Sequence, residues 1–554
     1  MSRTTPGWKG LVRPWKVFMR NNVDRILRSR LTWIVLVVSI AWGLILALVD
    51  SSAQFFTDWF VYSTFLLFGL ASLLVVGKAL KASKGAWQAA LAAYGLRVLV
   101  GIVLTILLPA AGYADNEATS AGYTFKDAYY RDAEAWRLAK SEDMLAAAFT
   151  PKYETDQYGG LLALSGFVYR YLSPDVQRPF SILLLTAMAG GLGTLFVWKA
   201  AKNWLGAGTA AVTAWIFALY PEGVLLGASQ MREPFVMMSL ALATYGFTQM
   251  KQEKRQWSYL ILMAAVLLLF FQSPVALIVF FVIGAAWLIE PEKRLNWKAV
   301  GLFAAILFVA LLVVITVWSN LPSLEEANPF TLFVTWLQHN FRFQSGVTES
   351  GSGHVQNLVD MVGEGGRALI FLLYGVARPV LPAALADTGT STIWYIINFF
   401  RSSGWYLLAP ILVYTTMKLL GRDSIERRKG LLWLSISAWV LILLAAANGG
   451  ADAWDNPRYR AIFLPWQAVL AGWGLWTVRS QKDAWLGRWF LIEGIFVLLF
   501  TWWYITRQPE LASLHPDIRV LVLACLAAAA VIIAGGWLLD RKKKQITSTV
   551  VQHE

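Results

Sequence analysis

Apolar runs approaching twenty residues recur along the chain from residue 31 to residue 539, and they constrain it more than any other feature. At ~1.5 Å of rise per residue, a helix of ~20 such residues crosses the ~30 Å hydrocarbon layer of a bilayer. Fourteen candidate spans follow: 31–49, 59–77, 87–109, 180–198, 207–221, 232–250, 257–271, 274–289, 298–318, 405–420, 431–447, 461–478, 488–505 and 518–539. The runs at 207–221 and 257–271 are the shortest. Gln272-Ser273-Pro274 interrupts a stretch too long for one span, and proline disfavours helix in the residue before it, so a tight hairpin is expected there. Residues 367–385 read as a re-entrant or interfacial helix. The predicted fold is an all-α polytopic membrane protein with two long external loops, 110–179 and 319–404.

Composition agrees: of 554 residues, 57% are hydrophobic and 15% charged, against roughly 25% charged in soluble domains. The single cysteine, Cys525, lies in an apolar run, which excludes disulfide frameworks and cysteine-ligated zinc. The formal charge of +14 is spread over short clusters between spans and forms no single basic face, which argues against nucleic acid as a partner. Counted by alternate loops, 31 of the 48 basic residues fall on the side of the N-terminus. By the positive-inside rule both termini are cytoplasmic, in a plasma membrane, and membrane lipids are partners throughout. The segments read as a basic cytoplasmic N-terminus (1–30), two spans (31–86), a core (87–480), two further spans (481–540) and a basic tail (541–554). The first span fits a retained anchor better than a cleaved signal peptide.

Acidic residues outside the cytoplasm concentrate in the loop 110–179, which carries ten carboxylates against seven bases. Thr124-Phe-Lys-Asp127 has the form of a capping box, and the Ala- and Leu-rich run through Phe149 suggests a helix lying on the membrane surface. From these residues alone, Asp127 reads as a carboxylate in the first turn of that helix and Asp132 as a solvated face charge. Arg97 lies deep in an apolar span, where an arginine is costly unless paired or facing water. Glu493, at similar depth in another span, is a possible partner. No metal-ligand spacing of the four histidines, P-loop or Gly-x-Ser-x-Gly sequence occurs, so neither metal nor cofactor is expected.

Five segments occur in an order that resembles the GT-C glycosyltransferases, the superfamily of the protein O-mannosyltransferases and lipid A aminoarabinose transferases. They are Tyr94-Gly-Leu-Arg97, Asp127-Ala-Tyr-Tyr-Arg-Asp132-Ala-Glu-Ala-Trp136, Tyr158-Gly-Gly-Leu, Ser229-Gln-Met-Arg232-Glu233 and Asn456-Pro-Arg458-Tyr459-Arg460. The resemblance covers roughly residues 87–480. It implies an enzyme that moves a sugar from a polyprenyl-phosphate donor to a lipid, glycan or protein acceptor at the outer membrane face. An aspartate of the first long external loop would act as general base. Family members often carry an aromatic residue four positions after that aspartate; Asp132 has Trp136 there and Asp127 has Arg131, so Asp132 ranks first and Asp127 second. Arg97, Trp136, Arg232, Arg458, Tyr459 and Arg460 would contact substrate, with arginine suited to bidentate hold on a lipid phosphate. Arg378 lies near another external span end. Both aspartates precede alanine where better-known members have Asp-Glu, and the Trp-Trp-Asp of oligosaccharyltransferases is absent. Two other readings remain open: a polysaccharide polymerase or ligase centred on His339 and Arg342, and a lipid-linked oligosaccharide flippase. Flippases are expected to show repeated halves and polar groups at mid-membrane, and this chain shows neither pattern.

Overall fold

The computed structural model describes residues 30–50, 54–113, 115–153, 158–252, 256–289, 363–421, 429–450 and 454–553, together with residues 254 and 452. All regular structure among them is helical. In chain order the helices are α1 (Arg30–Val49), α2 (Phe55–Ala79), α3 (Lys84–Ala111), α4 (Glu117–Ser120), α5 (Lys126–Lys140), α6 (Gly160–Phe167), α7 (Pro179–Leu205), α8 (Ala207–Leu219), α9 (Pro221–Gly227), α10 (Glu233–Lys251) and α11 (Trp257–Ile289). After them come α12 (Glu364–Ala377), α13 (Leu381–Ala386), α14 (Thr392–Leu420), α15 (Lys429–Gly449), α16 (Asp455–Ala461), α17 (Leu464–Gln481), α18 (Trp485–Ile505) and α19 (Ile518–His553). A π-helical turn, Val168–Leu172, continues directly from α6.

Seven helices, α2, α3, α7, α14, α15, α18 and α19, are long and apolar enough to cross a membrane, and the bent pairs α8–α9 and α16–α17 bring the number to nine. The protein is a multi-pass helical membrane protein. The expected fourteen spans are not reached among the described residues, for three reasons. The apolar parts of α1 and of the two halves of α11 are shorter than a full span. The helix expected at 232–250 forms as α10 but is not apolar enough along its length to count, since Thr244, Thr248 and Gln249 interrupt it. The run 298–318 lies outside the described residues.

The break at Gln272 is where proline chemistry puts it, with a backbone at φ −161, ψ 85 just before Pro274. It divides α11 into two shorter apolar helices, Trp257–Gln272 and Pro274–Ala286, as the sequence leads one to expect. Two other prolines lie at helix bends: Pro221 opens α9 at 54° to α8, and α17, with Pro465 in its first turn, stands at 70° to α16. Such breaks leave carbonyls at a helix end without intrahelical donors.

The core is centred on α7, buried over 89% of its apolar window, whereas α18 and α19 are buried over only 6% of theirs and present their flanks to lipid. Two buried ion pairs brace the bundle. Arg178 Nε, beside the start of α7, meets Asp58 Oδ1 of α2 at 2.6 Å with both side chains fully enclosed. Arg401 of α14 holds Glu222 of α9 through Nε–Oε2 at 2.6 Å and Nη2–Oε1 at 2.9 Å. Breaking one partner of such a pair strands a buried charge and typically costs ~3–5 kcal/mol.

Candidate active site

The loop between α3 and α7 folds around α5, whose buried positions Ala128, Arg131, Asp132, Ala135 and Leu138 follow the helical period. The helix starts one residue later than a Thr124 cap would place it. Phe125 is the N-cap and offers no side-chain bond, and Thr124 is buried. The helix stops at Lys140, and a 3₁₀ turn, Leu145–Phe149, covers the rest of the expected run. Its C-terminal end is held by Arg170 of the π-helical turn, which donates to Asp143 O at 2.8 Å, Ser141 O at 3.1 Å, Ala139 O at 3.2 Å and Leu138 O. Four carbonyls gathered by one guanidinium satisfy acceptors that a helix end leaves free.

Asp127 and Asp132 sit five residues apart, about 140° around the helix axis at 100° per residue. Their environments differ accordingly. Asp132 is not solvated but buried, accepting bonds from Tyr123 Oη at 2.7 Å, Gln177 Nε2 at 2.7 Å and Tyr169 Oη. Burial raises its pKa, against the lowering effect of those three donors. The same burial, with the Asp132 charge added, raises the pKa of both phenols. Trp136, on the face of Asp132, packs edge to face on Tyr169 at 5.7 Å with Lys140 Nζ 4.7 Å over its ring. Asp132 and Trp136 therefore join α5 to the π-helical turn and to the start of α7. Gln177 precedes Arg178, so the Asp58 pair of α2 lies one residue from this cluster.

Asp127, half exposed, receives a 2.7 Å bond from Arg458 Nη1 across 331 residues of sequence. Burial acts to raise its pKa, but the charge and hydrogen bond of Arg458, with the charges of Arg131 and Arg232, hold it below the usual carboxylate range. Arg458 is buried in the middle of α16 between three carboxylates: Asp127, Glu233 (Oε1 to Nε, 3.3 Å) and Asp455 (Oδ1 to Nη2, 3.3 Å). Tyr459 Oη donates to Asp455 Oδ2 at 3.4 Å. Arg232, the N-cap residue of α10, lies buried with its guanidinium 4.5 Å over the ring of Tyr158. Asp127, Arg232, Arg458 and Tyr459 thus come together where α5, α10 and α16 begin. The chemical capacity of the group is plain: an ionised, half-exposed carboxylate that can take a proton, beside an arginine that can hold a phosphate.

Two other expected contacts fall elsewhere. Arg460 is fully buried, stacked 3.5 Å from the centroid of Trp405, and donates to Arg378 O at 2.8 Å and Val376 O at 3.3 Å, so it pins α16 to α14 and to the end of α12. Arg97 is buried and donates through Nη1 to Ala93 O at 2.9 Å and Ala218 O at 3.1 Å; it makes no pair with Glu493. Ala218 lies in the last turn of α8, so Arg97 supplies a donor to the helix end that Pro221 interrupts. Glycines make room for it: a Cβ on Gly190 would lie 2.4 Å from Arg97 Nε and one on Gly227 2.5 Å from Cδ. Arg378 donates to Tyr374 Oη at 2.6 Å. Glu233 and Asp455 join the cluster without having been expected there; Glu233 follows Arg232 directly and Asp455 precedes Arg458 by three residues, about one helical turn. Among the described residues no group of three His, Cys, Asp or Glu side chains is placed to hold a metal ion.

Residues 175–319 match the model of the dolichyl-phosphate-mannose-protein mannosyltransferase family. No curated protein matches the chain. Among solved structures, the chain is similar to the Archaeoglobus fulgidus oligosaccharyltransferase in complex with zinc and sulfate, at 16% identity over 75% of this chain and 52% of that one, with a TM-score of 0.40. The apo form of that enzyme gives 14% identity over 79% and 56%, with a TM-score of 0.39. The archaeal oligosaccharyltransferase AglB from Archaeoglobus fulgidus, in complex with an inhibitory peptide and a dolichol-phosphate, gives 13% identity over 79% and 56%, with a TM-score of 0.35. The chain spans about half the length of these proteins, and the scores are too low to bear on the site. The match to the dolichyl-phosphate-mannose-protein mannosyltransferase model covers about a quarter of the chain, and it lies within the stretch that carries the five-motif resemblance.

Proposed function

We propose that this protein transfers a sugar from a polyprenyl-phosphate donor to an acceptor hydroxyl at the outer face of a plasma membrane, with both termini cytoplasmic. The observation that carries the reading is the Asp127–Arg458 pair: a half-exposed carboxylate on the surface helix bonded to a buried arginine at a span start. Asp127 is the general base, and Arg458, with Arg232 and Tyr459 beside it, receives the donor phosphate. Asp132, enclosed by three donors, holds α5 in place and does not meet the acceptor.

The acceptor oxygen attacks the anomeric carbon while its proton passes to the Asp127 carboxylate. The bond from that carbon to the phosphate oxygen breaks, and its electron pair leaves on the polyprenyl phosphate, where arginine offsets the added charge. A donor phosphate competes with Asp127 for Arg458. Losing that cation raises the pKa of Asp127, so donor binding itself makes the base stronger. The direct test is incubation of the protein in nanodiscs with radiolabelled polyprenyl-phosphate mannose and glucose. Release of polyprenyl phosphate with transfer of label supports the reading; no consumption of either donor, with any acceptor class, counts against it.

A further inference from the structure

Four lysines that the proposed reaction does not use converge at the end of the bundle opposite Asp127. Lys81 lies in the turn between α2 and α3, Lys199 and Lys202 in the last two turns of α7, and Lys254 just past the end of α10. The 27 residues of α7 start beside α5 and, at ~1.5 Å each, carry its other end ~40 Å away. Lys199 is half-buried and donates to Leu80 O at 3.0 Å, which ties α7 to the turn after α2. Gln252 Nε2 donates to Asn203 O at 3.4 Å and Asn203 Nδ2 to Thr248 Oγ1 at 3.2 Å, which ties α7 to α10. The charges that act on the Lys199 ammonium are those of Lys202, Lys254 and Lys81. Among the described residues the lysine ion pairs are Lys152–Asp143 and Lys418–Asp483, so none of these four has a carboxylate to relieve the repulsion.

Helix dipoles offset only part of this charge. Three helices, α2, α7 and α10, end here with roughly half a negative charge each, against four full positive charges. The backbone points the same way. Lys81 is held at φ 53, in the left-handed region that favours glycine, so the turn keeps a cation where glycine would relieve strain. Trp204, half-buried in the last turn of α7 with Lys251 Nζ 5.1 Å over its ring, stands where aromatic residues anchor spans at headgroup level. At that depth the anion that meets a basic cluster is the phosphodiester of an acidic phospholipid. Its acyl chains have a place to lie: Phe68 and Val75, seven residues apart on one face of α2, are exposed and lead up to Lys78 and the turn that holds Lys81.

We propose that Lys81, Lys199, Lys202 and Lys254 form a binding site for the headgroup phosphate of an anionic phospholipid. The site stands apart from the transferase reading and does not rest on it. The test is native mass spectrometry of the full chain in detergent micelles, titrated with dioleoylphosphatidylglycerol, with dioleoylphosphatidylcholine and glycerol 3-phosphate as parallel probes. Saturable binding of phosphatidylglycerol, tighter than that of phosphatidylcholine or glycerol 3-phosphate, is expected. Lys202→Gln/Lys254→Gln removes two exposed ammonium groups, so this variant should keep the unfolding midpoint of the parent while its dissociation constant for phosphatidylglycerol rises roughly tenfold or more. Arg541→Gln/Lys542→Gln, which removes two exposed cations from the end of α19, should change that constant less than about twofold. Equal losses in the two variants would reduce the effect to general surface attraction and overturn the site. So would an unchanged constant in Lys202→Gln/Lys254→Gln, equal affinity for phosphatidylcholine, or glycerol 3-phosphate binding as tightly as the lipid.

Discussion

Asp127 and Asp132 share one helix, one residue type and nearly one sequence context, and differ in almost everything else. Asp132 is closed off by Tyr123, Tyr169 and Gln177, whereas Asp127 is half exposed and bonded to an arginine that a ligand phosphate could draw away. A carboxylate whose lone pairs are already taken by three fixed donors has little capacity left for a substrate proton. One held by a single displaceable cation has that capacity as soon as the cation is engaged. In the proposed account, reactivity follows from which bonds can be exchanged, and the two ends of this helix differ in that respect.

The largest effect that sharpens this contrast, among substitutions of partners, is expected at Arg458. Arg458→Ala should lower kcat/KM for donor by ~10²–10³, in the range found for removal of one preorganised charge-stabilising donor. The donor KM should rise more than the acceptor KM; equal losses on both would indicate a damaged fold in place of a lost phosphate contact.

Next comes the pH dependence. Because cations hold Asp127 below the usual carboxylate range, the acid limb of kcat/KM for the free enzyme should lie below that range. Activity is lost as pH falls through this limb, since protonated Asp127 accepts nothing. Removing the positive charge in Arg458→Gln raises the Asp127 pKa, so the limb of that variant, normalised to its own maximum, should move to higher pH. Profiles of kcat/KM carried down to about pH 2.5 from pH 8 decide it, and an unmoved limb would detach Asp127 from Arg458.

A smaller effect is expected around Asp132. Tyr169→Phe removes one buried hydrogen bond to a charged group and should cost ~1.5–3 kcal/mol of stability, seen as a lower midpoint of thermal unfolding. Transfer at a temperature well below that midpoint should fall less than tenfold, with the acid limb unmoved. A shifted limb would instead make Asp132 part of the proton transfer.

Much of this architecture is legible in the sequence because membrane insertion leaves a coarse, local record. The runs at 59–77, 87–109, 180–198, 405–420, 431–447, 488–505 and 518–539 all reappear as helices long enough to span. The record fades where polar groups are buried against protein, as along α10. The order of the motifs was readable; their assembly was not, because no local pattern brings Arg458 to Asp127 across 331 residues. The aromatic residue four positions on selected Asp132, and four residues is about one helical turn, so Trp136 marks the face of α5 that is packed inward. Arg97 shows a related limit. An intramembrane arginine suggests a charged partner, yet carbonyls at a broken helix end and a cradle of glycines satisfy the space around it. The ion pairs Asp58–Arg178 and Glu222–Arg401 left no signal beyond single charges beside apolar runs.

The exchange of Asp127→Asn with Asp132→Asn, measured side by side, bears most directly on the division of roles within α5. Both variants should be reconstituted in nanodiscs and followed for single-turnover transfer from labelled polyprenyl-phosphate mannose, with unfolding midpoints and donor binding recorded on the same samples. Asp127→Asn is expected to fold and bind donor as the parent does while transfer falls ~10²–10⁴, the usual loss on removing a general base. Asp132→Asn is expected to unfold at lower temperature and to retain transfer within tenfold of the parent. Abolished transfer in a stable Asp132→Asn, with Asp127→Asn close to the parent, would contradict the assignment and return the base to the buried face of the helix.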